Sequence, residues 1–195
     1  MEFRSSQYDE INDYCRQIGI EWFASAWDIP SLHFLRKYDC PYNKIASAMA
    51  THIPFIQEVA SEGKPTFLST GMCSFDEIDK AVAILKEKKC PIILMHTVST
   101  YPAAERDLNL AVIHTLRERY GLPVGYSGHE ASVSPHLMAA VMGAVAIERH
   151  ITLDRAMYGS DQAASLELSG LVSLLGSIRK IATCVGSNEK TVLPA

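Results

Sequence analysis

The feature that most constrains this chain is an alternation of short apolar runs with longer segments of helical period. Six runs have the length and the flanking turn residues of buried strands, and five of them contain β-branched residues. They cover residues 21–26, 44–47, 66–69, 92–97, 124–127 and 145–151. Because parallel strands need helical crossovers between them, this alternation predicts an α/β fold with a parallel sheet.

The residues that close the predicted strands are polar and recur at the spacing of a βα unit. They lie 22, 22, 28, 30 and 22 residues apart, at Ser25, Ser47, Ser69, Thr97, Ser127 and Arg149. No G-x-G-x-x-G sequence follows a strand, and polar strand ends that share one site are typical of a closed barrel. We therefore predict a TIM-type βα barrel. Six strands supply about six of its eight βα units, so residues 1–195 are expected to form one incomplete barrel domain.

Helix boundaries and apolar faces support this organisation. Ser74 and Glu77 have the S-x-x-E spacing of a capping box, and apolar residues follow it at helical spacing. Two further apolar series are predicted to be helix faces packed on the barrel: Phe55, Ile56 and Val59, and Leu171, Leu174, Leu175 and Ile178.

Composition and charge exclude several classes of protein. The 195 residues are 48% hydrophobic and carry a formal net charge of −4, so nothing in the overall charge attracts nucleic acid or an anionic membrane. The first residues lack the apolar core of a signal peptide, and we find no apolar run of the ~18 residues that a membrane helix needs. Five cysteines without a C-x-x-C pair suit reduced thiols. We expect a soluble, cytoplasmic protein.

Six segments together resemble the sialic acid synthase family, also called N-acetylneuraminate synthases. They are KIAS (44–47), LSTGM (68–72), HTVSTYP (96–102), GYSGHE (125–130), ERHIT (148–152) and GSDQAASLE (159–167). The similarity runs from about Phe3 to Pro194. It implies a TIM-type barrel that condenses phosphoenolpyruvate with N-acetylmannosamine and uses Mn²⁺ or Mg²⁺. The family's first two strands and its C-terminal antifreeze-like domain have no counterpart in this sequence, and a homodimer is the expected assembly.

Two histidines, His129 and His150, follow successive strands and are 21 residues apart. Neutral imidazoles at neighbouring strand ends can bind a manganese-like ion, or each can simply hydrogen-bond a backbone carbonyl. The resemblance implies that both are catalytic metal ligands. The metal would then act as a Lewis acid on the aldehyde oxygen of the sugar.

A fixed cation and several hydroxyl groups are what phosphoenolpyruvate needs at strand ends. Taken singly, such residues are more often a lysine with an exposed amine and turn-forming serines. The resemblance implies that they contact phosphoenolpyruvate, with Lys44 also catalytic, and the set is Lys44, Ser47, Ser69, Ser99 and Ser127.

Tyr101 and Asp161 match positions that contact the acceptor sugar in the family, although a packed ring and a turn residue are the ordinary alternatives. Alternation along a strand places Glu148 on the same face as His150, and Arg149 on the opposite face.

Two departures from the family bear on the substrate. Ser99 stands where bacterial members have a phosphate-contacting asparagine, and Met49 replaces a sugar-side glutamate. The acceptor is therefore open among N-acetylated amino sugars, including precursors of legionaminic and pseudaminic acid. Two alternatives remain: a related sugar-acid synthase with a phosphorylated acceptor, and a truncated barrel that is inactive alone and serves as a binding or assembly unit.

Overall fold

The computed structural model describes residues 3–186 and 189–190, and within them the chain forms an incomplete TIM-type α/β barrel. The parallel sheet has the strand order β1-β2-β3-β4-β5. The strands are β1 (Asn43–Ile45), β2 (Thr66–Ser69), β3 (Ile92–Thr97), β4 (Val124–Gly128) and β5 (Ile147–Arg149). The end of the predicted similarity at Pro194 lies outside the described residues.

Seven α-helices and four short 3₁₀ segments are found in the described part of the chain. The helices are α1 (Ser5–Ile18), α2 (Ile29–Leu35), α3 (Ile53–Ser61), α4 (Phe75–Glu87), α5 (Val112–Tyr120), α6 (Ser134–Val141) and α7 (Leu168–Val185). The 3₁₀ segments are Arg36–Tyr38, Ser47–Met49, Glu105–Asp107 and Gln162–Ala164. The chain forms two compact units, Met1–Ile93 and Leu94–Ala195.

The predicted strand over residues 21–26 is wrong. In the structure this segment pairs with β1 only through a single parallel bridge, between Ser25 and Lys44. Its aromatic side chains pack against other rings: Trp22 lies 5.4 Å from Tyr38, and Phe23 stacks on Phe67 at 5.5 Å between ring centroids. The apolar run thus reflects aromatic packing rather than a backbone ladder.

In the first unit, helices α3 and α4 pack against each other and have buried apolar faces. Phe55, Ile56 and Val59 of α3 are fully buried, as predicted. The capping box of α4 is also confirmed, because Ser74 accepts from the Glu77 amide while the Glu77 carboxylate accepts from the Ser74 amide at 2.7 Å.

In the second unit, β3, β4 and α5 each contribute buried apolar side chains, but α7 differs from expectation. Of its predicted apolar face only Leu174 is buried, and Leu175 is 42% exposed. By length and a mean hydropathy of 1.4 alone, α7 would be long and apolar enough to cross a membrane, contrary to our expectation of no such run. Here it packs on α6, and its sequence includes the basic pair Arg179–Lys180.

Replacing Ser74 with Ala removes the hydroxyl that caps α4, so we expect the free energy of unfolding to fall by about 1 kcal/mol. Urea unfolding followed by circular dichroism measures this loss. Ser61→Ala is the matched control, because the Ser61 hydroxyl only donates to the Glu58 carbonyl within α3. Equal losses in the two variants would contradict the capping role.

Candidate functional site

The first unit brings together three of the predicted residues in two contacts at the ends of β1 and β2. The Lys44 amine donates to the Ser69 hydroxyl at 2.8 Å, and their residues are 9% and 4% exposed. The Ser47 hydroxyl accepts from the Gly71 amide at 3.0 Å. A buried cation flanked by hydroxyl and amide groups is chemically suited to an anion such as phosphate or carboxylate.

The second unit brings three predicted rings together. The centroids of His129 and His150 are 5.0 Å apart, and Tyr101 lies 4.2 Å from His129 and 5.8 Å from His150. His129 follows β4 and His150 follows β5, so two neighbouring strands hold them side by side.

Hydrogen bonding fixes the orientation of the His129 ring. Its Nδ1 lies 2.9 Å from the Val98 carbonyl oxygen and 3.3 Å from the Thr97 hydroxyl. A carbonyl only accepts, so we assign the proton to Nδ1, which leaves the Nε2 lone pair for another partner. Burial lowers the pKa of His129, and the neighbouring His150 lowers it further, so the neutral form that can bind a metal is favoured.

His150 and Asp161 also meet, with Nδ1 3.3 Å from Oδ2. This contact resembles the carboxylate–histidine pairs that orient metal-binding imidazoles. Burial raises the pKa of the Tyr101 hydroxyl, with smaller contributions from Asp161 and Glu148, so the phenol stays a hydrogen-bond donor at neutral pH.

Ser127 and Glu148 form a cross-strand contact. The Ser127 hydroxyl donates to the Glu148 carboxylate at 3.0 Å. Ser99 is half-buried in the segment after β3. Met49 is buried at 9% exposure, so an apolar side chain fills the position where we noted a missing carboxylate.

The residues present fit a divalent metal through two imidazoles. Across residues 3–186 and 189–190, no group of three or more His, Cys, Asp or Glu side chains is placed to hold an ion. Two nitrogen ligands leave the other coordination positions of a manganese-like ion to water and substrate oxygens.

Sequence reasoning missed a buried polar cluster beside these histidines. It consists of Tyr126, Glu130, His136 and Arg149, and is called the Glu130 cluster below. Glu130 and His136 are 0% exposed, and the Arg149 side chain is 3% exposed. The signal that could have found it is the position of Glu130 directly after His129 and of Arg149 directly before His150.

His96 begins one of the motifs. The contacts that the structure describes for its side chain hold the fold together. Its Nε2 lies 2.7 Å from the Leu108 carbonyl oxygen, and burial lowers its pKa. At low pH the unfolded chain binds a proton at this histidine more readily than the folded chain does, because burial disfavours the charged imidazole. Acid therefore favours the unfolded chain.

We therefore expect the free energy of unfolding to decrease as the pH falls below about 6.5, the ordinary histidine value. Each such group contributes at most about 1.4 kcal/mol per pH unit. His96→Gln should reduce this slope without removing it, since the pKa of His129 is lowered too. Chemical unfolding between pH 5 and 8 measures the slope, and exposed His114→Gln is the control. An unchanged slope in His96→Gln would contradict this assignment.

A family profile and two curated proteins with related names are similar to this chain. The profile of the NeuB family matches residues 1–190. The mouse (Mus musculus) N-acetylneuraminate-9-phosphate synthase is 35% identical over 100% of this chain and 54% of its own length. The N,N'-diacetyllegionaminic acid synthase of Legionella pneumophila is 33% identical over 97% of this chain and 55% of its own. The chain spans about half the length of these curated relatives.

A solved structure is also similar. It is the N-acetylneuraminic acid synthetase of Leptospira borgpetersenii, in complex with citrate, with a TM-score of 0.92 and 35% identity. The match covers 98% of this chain and 67% of that chain.

Proposed function

Because this chain belongs to the NeuB family of sialic acid-type synthases, we propose that it condenses phosphoenolpyruvate with an N-acetylated amino sugar. The products are a nonulosonate and inorganic phosphate. The observation that carries the proposal is the pair of imidazoles at neighbouring strand ends, 5.0 Å apart and both in contact with Tyr101.

In the proposed reaction, C3 of phosphoenolpyruvate attacks the aldehyde carbon of the open-chain sugar, forming the new C–C bond. Water then adds at C2, and the C2–O bond to phosphate breaks, which leaves a 2-keto acid. Lys44, Ser47 and Ser69, with Ser99 and Ser127, would hold the phosphate and carboxylate of phosphoenolpyruvate. Lys44 supplies a fixed positive charge that stabilises the departing phosphate.

His129 and His150 would hold the divalent ion, Mn²⁺ or Mg²⁺, which when bound polarises the aldehyde oxygen as a Lewis acid. Tyr101 and Asp161 would orient the acceptor, the first through its hydroxyl and the second through its carboxylate. Asp161 also orients the His150 ring, since it lies 3.3 Å from Nδ1.

The acceptor has two candidates. An unphosphorylated N-acetylated amino sugar would suit a product such as that named for the Legionella pneumophila relative, N,N'-diacetyllegionaminic acid, whose name includes no phosphate. A phosphorylated amino sugar is favoured by the mouse relative, whose name states that its product is N-acetylneuraminate 9-phosphate. Phosphate release from phosphoenolpyruvate, measured with Mn²⁺ and each acceptor in turn, distinguishes them. No release with any acceptor would favour an inactive binding or assembly unit.

Replacing His129 with Ala removes one of the two imidazoles, so we expect Mn²⁺ binding and phosphate release to be lost together. Isothermal calorimetry measures the binding, and a phosphate assay measures the turnover. The control His114→Gln changes an exposed histidine of α5. If His129→Ala bound Mn²⁺ as tightly as the unaltered chain, the ligand assignment would be wrong.

Replacing Lys44 with Met keeps the length of the side chain but removes its charge. A charge-assisted hydrogen bond contributes about 1.5–3 kcal/mol, so the affinity for phosphoenolpyruvate should fall roughly tenfold to hundredfold. Calorimetric titration with phosphoenolpyruvate measures this change. Lys80→Met, at an exposed position of α4, is the control and should keep the original affinity. Similar affinities for Lys44→Met and the control would refute the role of Lys44.

A further inference from the structure

The Glu130 cluster connects three elements of the second unit around the two histidines. The Tyr126 hydroxyl, on β4, donates to Glu130 Oε2 at 3.0 Å. Glu130 Oε1 lies 2.9 Å from His136 Nδ1 on α6. Arg149, on β5, has its Nη1 3.9 Å from Glu130 Oε2. One carboxylate therefore contacts both strands and the helix.

A second contact connects the strands through the backbone. Arg149 Nη1 donates to the carbonyl oxygen of Gly128 at 3.1 Å. Gly128 directly precedes His129, and Arg149 directly precedes His150. The hydrogen bond therefore joins the residues immediately before the two histidines.

The cluster has little room to move. A Cβ atom built on Gly128 would lie 2.4 Å from His136 Nε2 and 2.8 Å from Glu130 Oε2, both far inside van der Waals contact. The imidazole and the carboxylate thus occupy the space beside Gly128, the residue before His129, and leave no room for a larger residue there.

Charge makes the arrangement strongly dependent on its partners. Burial opposes ionisation of Glu130, but His136 and the hydrogen bond from Tyr126 outweigh it and lower the pKa of Glu130. Burial lowers the pKa of Arg149, and the nearby Glu130 opposes that effect. Removing one partner of a buried pair leaves the other charge uncompensated, which is strongly unfavourable.

From these contacts we propose that Glu130 and Arg149 are positioning residues, which set the separation and orientation of the His129 and His150 imidazoles. Alternation along β5 places Arg149 on the face opposite His150. The cluster acts by fixing the backbone from which each imidazole projects. The inference rests on the proposed function, in which these imidazoles bind a divalent ion.

Two measurements test the inference. The first needs no metal: the Nδ1 proton of His129, held by the Val98 carbonyl, is followed in the proton–nitrogen spectrum of the histidine rings. Its resonance is assigned by its loss in His129→Gln. The second is the dissociation constant for Mn²⁺, measured by calorimetry. The variants are Arg149→Met, Arg149→Lys and Glu130→Gln. The control is Leu116→Ala, which creates a cavity at a buried position of α5.

We expect Arg149→Met and Glu130→Gln to shift or broaden the His129 resonance and to weaken Mn²⁺ binding tenfold to hundredfold, as for other residues that orient metal ligands. Arg149→Lys keeps the charge and should recover part of both. Leu116→Ala should lower the unfolding midpoint as much as these variants do, while leaving the His129 resonance and the Mn²⁺ dissociation constant unchanged. If Arg149→Met and Glu130→Gln lowered only the unfolding midpoint, as the control does, the positioning role would be refuted.

The two readouts separate this inference from the proposed function. An unaltered chain that failed to bind Mn²⁺ would refute the metal site, while the His129 resonance would still decide whether Arg149 positions the ring. If Arg149→Met did not fold, Arg149→Lys and Glu130→Gln, which change the side chains less, would provide the decision.

Discussion

The register between β4 and β5 is the constraint on which the site of the second unit depends. The parallel pairing aligns Ser127 with Glu148 and Gly128 with Arg149. Because side chains alternate between faces, Ser127 and Glu148 meet on one face, where they share a hydrogen bond. One residue further along, the same register places His129 beside His150. A slip of one residue would send one histidine of the pair to the opposite face and separate the imidazoles.

The sequence located some strands better than others. The best located are largely buried and have turn residues at both ends. Those at 66–69 and 92–97 agree with β2 and β3 at both ends. The failure at 21–26 has a physical cause: aromatic residues such as Trp22 and Phe23 satisfy a strand pattern whether their backbone pairs with a neighbouring strand or their rings pack on other rings. Similarly, the apolar period of α7 predicts a buried face, but burial also requires a packing partner, which period alone does not identify.

The candidate site shows the same division. Alternation placed Glu148 on the same face as His150 and Arg149 on the opposite one, and the structure confirms the first through its contact with Ser127, on the adjacent strand. The pairing of Lys44 with Ser69 follows from neighbouring strand ends, although the sequence did not specify a direct hydrogen bond. The contact between His136 and Glu130 could not be predicted from the sequence, because it depends on how α6 packs on β4 and not on any spacing within either element. The same packing places the His136 ring in the space that a side chain at position 128 would occupy.

The two faces of the strand ends impose opposite electrostatic requirements. On one face, the proposed metal binding would require neutral imidazoles at His129 and His150, and burial, with a smaller contribution from His150, lowers the pKa of His129. On the other face, Glu130 and Arg149 are buried charges whose removal from water costs several kcal/mol per ion before pairing. A buried ion pair adds little net stability, so an apolar cluster of similar volume would serve the fold as well. What an apolar cluster would not supply is the directional bond from Arg149 to the Gly128 carbonyl. That bond gives the charged cluster a use in positioning the imidazoles that its contribution to stability alone does not explain.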